Sequence, residues 1–148
     1  MSLWDWTLQA YGQAGVPEAC LDLQDEHGQN TPFLLWAVWA EGPKPEILAE
    51  AARMAKAWEA AVLAPIRKVR RTLKPPFPLV DDRAREALRE DIKAAELRAE
   101  RVLMETLEQL SGHHKNGVPA LEALKAATAA WGGGASDDAL ARLAGPLT

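Results

Sequence analysis

Apolar side chains recur along most of this chain at steps of three and four, the signature of helices that each bury one face. No segment alternates strictly between apolar and polar residues, so no strand is predicted, and there is no internal repeat. Ser2 is placed to N-cap a first helix over about 3–14, with Asp5 three positions on as the capping-box acid and Gly15 as its stop. Pro17 opens a second helix that runs to about His27 and ends at Gly28. Asn30 caps a third, with Pro32 in its first turn. The run Phe33-Leu34-Leu35-Trp36-Ala37-Val38-Trp39-Ala40 is apolar all round, which predicts a buried central helix. At about ten residues it is too short to span a bilayer. Gly42-Pro43-Lys44-Pro45 breaks the chain.

Leu48, Ala51, Ala55, Trp58, Val62, Ile66, Val69 and Leu73 then keep the helical step without a slip, through Pro65. The pattern predicts one long helix over 45–74, kinked at Pro65 where the backbone N–H is missing. A break at Pro65 is the competing reading. Lys74-Pro75-Pro76-Phe77-Pro78 forms a stiff connector. Asp81 and Asp82 open a second long helix over 81–111, with Leu88, Ile92, Ala95, Ala99, Leu103, Leu107 and Leu110 as its stripe and mixed charges on its other faces. After a loop at Gly112–Gly117, Pro119 opens a helix to about Trp131. Gly132-Gly133-Gly134 is a flexible break, and Ser136 caps a last short helix ending near Gly145. The expected fold is all-α: a single-domain irregular bundle of six to eight helices with two long antiparallel helices. Its parts are acidic, Trp-rich helices over 1–43, a basic helix over 45–74, a mixed-charge helix over 81–111 and Ala-rich C-terminal helices over 119–145.

A length of 148 residues suits one domain that folds without disulfides or metal. Six of the nine aromatic residues are Trp, and five of those lie at or before residue 58, so the bulky core material is concentrated early. The single cysteine, Cys20, excludes an intrachain disulfide and fits a reducing compartment. The first residues lack the basic and apolar regions of a signal peptide, and no apolar run approaches membrane-spanning length, so a cytoplasmic protein with no membrane association is expected. The net charge of −4 hides a segregation. Residues 1–43 hold six acids and no base, and residues 44–79 hold eight bases and three acids. That balance is unlike a globally basic nucleic-acid binder, but leaves a local basic element.

Three places carry candidate chemistry. Around the corner Gln24–Asn30, Asp22, Asp25, His27 and Asn30 are weak catalytic candidates. Asp25 and His27 would be a carboxylate–imidazole pair for proton transfer, or ligands of a metal together with Asp22. The structural alternative is a tight helix–helix turn whose polar side chains satisfy the backbone. Next, Arg67, Arg70, Arg71 and Lys74 fall at i, i+3, i+4 and i+7, with Lys56 three turns earlier on the same face. This stripe is either an anion- or partner-binding face or the solvated side of an amphipathic helix. Last, Trp4, Trp36, Trp39 and Trp58 are either core or the lining of an apolar groove. Trp4 and Trp6 point about 200° apart on a helix, so one is expected to pack and the other to lie nearer the surface. His113 and His114 lack metal-ligand spacing, and there is no Gly-rich phosphate loop and no nucleophile elbow. No cofactor or metal is called for. Cys20, on the apolar side of its helix, reads as an inert buried thiol.

The residues Leu3-Trp4-Asp5-Trp6, Tyr11, Gly15-Val16, Cys20-Leu21, Leu23-Gln24-Asp25, Gly28, Asn30, Leu34-Leu35 and Trp39 resemble a small bacterial all-helical family of unknown function. The chain departs from that pattern at Thr31-Pro32. The resemblance implies a helical fold in a bacterial cytoplasm and carries over no catalytic residue. The favoured expectation is a non-enzymatic binding or adaptor protein that uses the basic face, the Trp-lined groove or both. Its partner would be an acidic protein or a second copy of itself. The alternatives are a small enzyme or metal protein centred on the Gln24–Asn30 corner, and a nucleic-acid accessory protein.

Overall fold

The computed structural model describes residues 1–148 and contains seven helices and no strand. Ser2 caps α1 (Leu3–Tyr11): its Oγ accepts the Asp5 N–H at 3.1 Å and donates to the Asp5 carboxylate at 2.8 Å. The helix stops at Tyr11, short of the predicted residue 14. Gly12 is a poor helix former, and Gln13 and Ala14 are exposed with no face to bury. Next come α2 (Val16–His27) and α3 (Thr31–Trp39). Asn30 caps α3 by accepting the Phe33 N–H at 2.9 Å.

All nine residues of α3 are buried, as an all-round apolar helix requires. Trp36 is fully buried; its ring centroid lies 5.7 Å from that of Phe33, and its indole N–H donates to Ser111 Oγ at 3.0 Å. Around this axis pack α5 (Asp82–Ser111) with Leu103 and Leu107 and α6 (Ala120–Trp131) with Leu124, while α7 (Asp137–Ala144) packs on α2 and α6 with Leu140 and Leu143. One continuous core joins residues from Leu3 to Ala144, so this is a single domain.

The fourth helix, α4, is continuous over 45–72. It passes from an α-helical stretch (Pro45–Trp58) through a π-helical turn (Glu59–Leu63) into a second α-helical stretch (Ala64–Thr72). Ala64 donates to the Glu59 carbonyl, the i→i+5 closure of the wide turn. Pro65 therefore does not break the helix. The widened turn ahead of it makes room for a residue that has no N–H to give and whose ring would crowd the previous turn.

Antiparallel to α4 runs α5: Trp58 meets Ala99, and Leu73 meets Arg85. Beyond the core these two helices form an arm only one layer thick. No residue of Ala64–Thr72 is buried, and before Glu96 the only buried residue of α5 is Arg85. Arg85 donates to the carbonyls of Leu73 and Lys74 and pairs with Asp82 and Glu86, which ties the end of α4 to the start of α5. Leu88 and Ala95, expected on the buried stripe of α5, are exposed, because no third element covers the arm. No helix is long and apolar enough to cross a membrane.

The loop between α5 and α6 lies against the turn between α3 and α4. Asn116 and Val118 donate to the carbonyls of Ala40 and Glu41. Gly42 is needed there: its φ is 80°, and a Cβ would stand 2.5 Å from Val118 Cβ.

Candidate functional site

The corner Gln24–Asn30 is a structural joint. Gln29 is buried and donates to the carbonyls of Gly132, at 2.9 Å, and His27. Trp131 donates its indole N–H to the Gly28 carbonyl at 2.9 Å, so the C-terminal helices close over the turn. The four polar residues expected to converge are directed to separate tasks. Asp22 pairs with His27 at 3.5 Å, Asp25 pairs with Arg71 at 3.2 Å, and Asn30 caps α3. Nowhere do three or more His, Cys, Asp or Glu side chains gather to hold a metal ion.

The predicted basic stripe is divided. Arg67 is nearly buried and pairs with Glu59 at 3.4 Å and Glu96 at 3.7 Å, while Arg70 pairs with Glu96 at 2.5 Å. The π-helical turn explains this partnership. At 3.6 residues per turn, positions eight apart stand about 80° apart. A turn that winds less per residue swings Glu59 back over Arg67. The same turn removes Lys56 from the stripe, and its ammonium lies 5.8 Å from the Trp131 ring centroid instead. Arg71 remains 58% exposed, and Lys68 and Lys74 are exposed with no ion-pair partner. Ala64, Arg67, Lys68, Arg71 and Thr72 line a shallow depression of about 520 Å³ on the outer face of α4.

Behind this face lies a polar cluster whose acids are outside the residues predicted from sequence. Burial raises the Glu100 carboxyl to about 7; Glu96 adds to the rise and Arg67 opposes it. Arg70, Glu96 and Glu100 line one open cleft of about 510 Å³. Nearby, burial pushes the Cys20 thiol up to about 11 and raises the Tyr11 phenol, so Cys20 is held as an unreactive thiol. The cluster draws on α4 and α5, whose acids and bases meet only in the folded arm. The one sequence signal was that Glu59 is the last acid before a run of cations.

The four tryptophans do not share a groove. Trp36 is sealed in the core, and Trp58 gives its indole N–H to the Ala99 carbonyl at 3.0 Å. Trp4 lies under Arg101 at 5.2 Å and lines a groove of about 630 Å³ with one face of α5. Trp39 is 5% exposed, and with Trp6, His113 and Lys115 it lines a cleft of about 730 Å³ near both chain ends. Trp4 and Trp6 are thus both half-buried, each in a different cleft. The Lys115 ammonium lies 3.3 Å from the Trp39 ring centroid and donates to the Trp39 carbonyl. Burial lowers its pKa, against the pull of Glu41 and Glu108. His113 meets the edge of the Trp39 ring and pairs with Glu108 at 2.9 Å.

Residues 2–107 match the family described as Protein of unknown function (DUF2390). This chain belongs to that family. The matched span holds α1 to α4 and most of α5, and so the core helix, the arm and the Arg–Glu cluster; the Trp39–Lys115 cleft straddles its end. No curated protein and no solved structure matches the chain.

Proposed function

We propose that this protein is a non-enzymatic binding protein that receives an acidic segment of a protein partner on the outer basic face of α4. The observation that carries the reading is the set Lys68, Arg71 and Lys74: three exposed cations, two on the last turns of α4 and one in the turn just after it, in a stretch from 60 to 80 that contains no acid. Lys68 and Lys74 are unpaired, and Arg71 is held only by Asp25 of α2. An incoming carboxylate therefore competes with one exposed contact, which is worth little in water. Arg67 and Arg70, by contrast, are engaged with Glu59 and Glu96 and brace the arm from within. A reducing, cytoplasmic setting goes with this reading, since Cys20 is buried and unpaired.

The test measures anisotropy of a fluorescein-labelled poly-glutamate peptide of about 20 residues across a salt series, as electrostatic association weakens with salt. Binding that falls with salt and weakens more than about tenfold in the triple variant Lys68→Glu, Arg71→Glu, Lys74→Glu supports the proposal. Binding that is absent, or equal in the triple variant, overturns it. Tighter binding to a duplex DNA of similar length, with a steep salt dependence, overturns it in favour of nucleic acid.

A further inference from the structure

Helix α5 carries a second edge that stays exposed along its length, flanked by Leu73, Phe77 and Val80 at one end and by Trp4 at the other. Ala84, Leu88, Asp91, Ala95, Arg98, Val102 and Glu105 follow one another at steps of four and three over three heptads, and all seven are exposed. Leu88 is 49% exposed and Val102 40%. A 4–3 spacing on a straight stretch of helix makes one stripe along one side, the stripe through which helices pair. Buried helix faces in this protein are filled by Leu, Ala and Trp of neighbouring helices; this one faces solvent because the arm is a single layer.

The stripe is complementary to itself when reversed. Two copies of α5 laid antiparallel, with Ala95 at the two-fold axis, set Leu88 of one against Val102 of the other. Asp91 of one then meets Arg98 of the other. Each contact occurs twice, as a two-fold interface demands. Neither Asp91 nor Arg98 has an ion-pair partner within its own chain, although both lie on a helix crowded with opposite charges. Ala94 and Ala95 at the centre are small enough to let two helices approach closely. Together with Arg98 and Val102 they form one side of the groove that Trp4 and Leu97 also line, which has room for the flanking side chains of a second helix. A parallel arrangement would set Asp91 on Asp91 and Arg98 on Arg98, so charge selects the antiparallel one.

We infer that two copies of this chain pair through the exposed edge of α5, antiparallel and with the two-fold axis at Ala95. The contact lies on α5, whereas the face proposed for an acidic partner lies on α4, so the dimer does not depend on that reading. The Lys68, Arg71, Lys74 charge-reversal variant is expected to dimerise as the wild type does.

Sedimentation velocity from about 5 to 200 µM tests the pairing, with circular dichroism to show that each variant is folded. Wild type is expected to move from 16.1 kDa toward twice that mass across this range. Asp91→Arg and Arg98→Asp each place like charges in contact twice, and each is expected to raise the dissociation constant about tenfold. The double variant Asp91→Arg, Arg98→Asp restores both pairs and is expected to return to within about threefold of wild type. Mixing the two single variants is expected to give a heterodimer, because all of its cross-pairs are then opposite in sign. A wild type that stays monomeric at 200 µM overturns the inference. So does a dimer indifferent to the single changes, or a double variant that fails to recover.

Discussion

Replacing Glu100 by Gln removes a charge that the fold holds at a cost. Burial lifts this carboxyl from 4.5 to about 7, with Glu96 adding and Arg67 opposing. The folded chain therefore binds the Glu100 proton more tightly than the unfolded chain does, and between these two values stability falls as pH rises. The penalty is absent below the unfolded value and complete above the folded one. At about 1.4 kcal/mol for each pH unit, it amounts to roughly 3 kcal/mol at pH 8 and less than about 1 kcal/mol at pH 5. Gln has the shape of the protonated acid and no charge, so Glu100→Gln is expected to be more stable than wild type by that difference. Urea titration followed through tryptophan fluorescence at both pH values measures it. With a slope of about 2 kcal/mol per molar urea, the midpoint should rise by about 1.5 M at pH 8 and by less than about 0.5 M at pH 5. The remaining titratable groups are common to both proteins and drop out of the comparison. A variant no more stable than wild type at pH 8, or one whose gain is as large at pH 5, refutes the reasoning.

Two further outcomes follow from single contacts. Asn30→Ala removes the buried cap of α3, whose Oδ1 accepts the Phe33 N–H at 2.9 Å. It should cost about 1–2 kcal/mol, or about 3–6 °C in thermal unfolding, with Asn30→Ser closer to wild type; an unchanged melting temperature would count against the cap. Cys20, held at about 11 by burial, should react with a disulfide reagent at pH 8 more than about 100-fold more slowly than free cysteine, and rapidly in urea. Fast labelling of the native protein would show that the thiol is reached without unfolding.

Much of the local structure is legible in the order of residues alone. Ser2, Asn30 and Ser136 cap the helices they precede, since a side-chain oxygen at that position needs only its own first turn as partner. The all-round apolar run of α3 is buried for an equally local reason: it has no polar side to turn outward. Such features depend on contacts a few residues long, and sequence distance stands in for space. The candidate sites did not transfer so well. The Gln24–Asn30 corner has the composition of a gathering of functional groups, but Gly28 and Gln29 serve the joint with Trp131 and Gly132, about a hundred residues away.

An all-helical chain, its caps, the central helix and the lengths of the two long helices follow from residue order, because helical period and capping act within a turn or two. Which charges are free depends instead on how the helices meet. A π-helical turn ahead of Pro65 rotates Glu59 onto Arg67 and carries Lys56 out of line, and α5 brings Glu96 to Arg67 and Arg70. Azimuth around a helix accumulates along the chain, so one widened turn changes every later alignment. Likewise Leu88 and Ala95 obey the period of a buried stripe and yet face solvent. Periodicity says that a face is apolar; what lies against that face is decided by which other helices reach it.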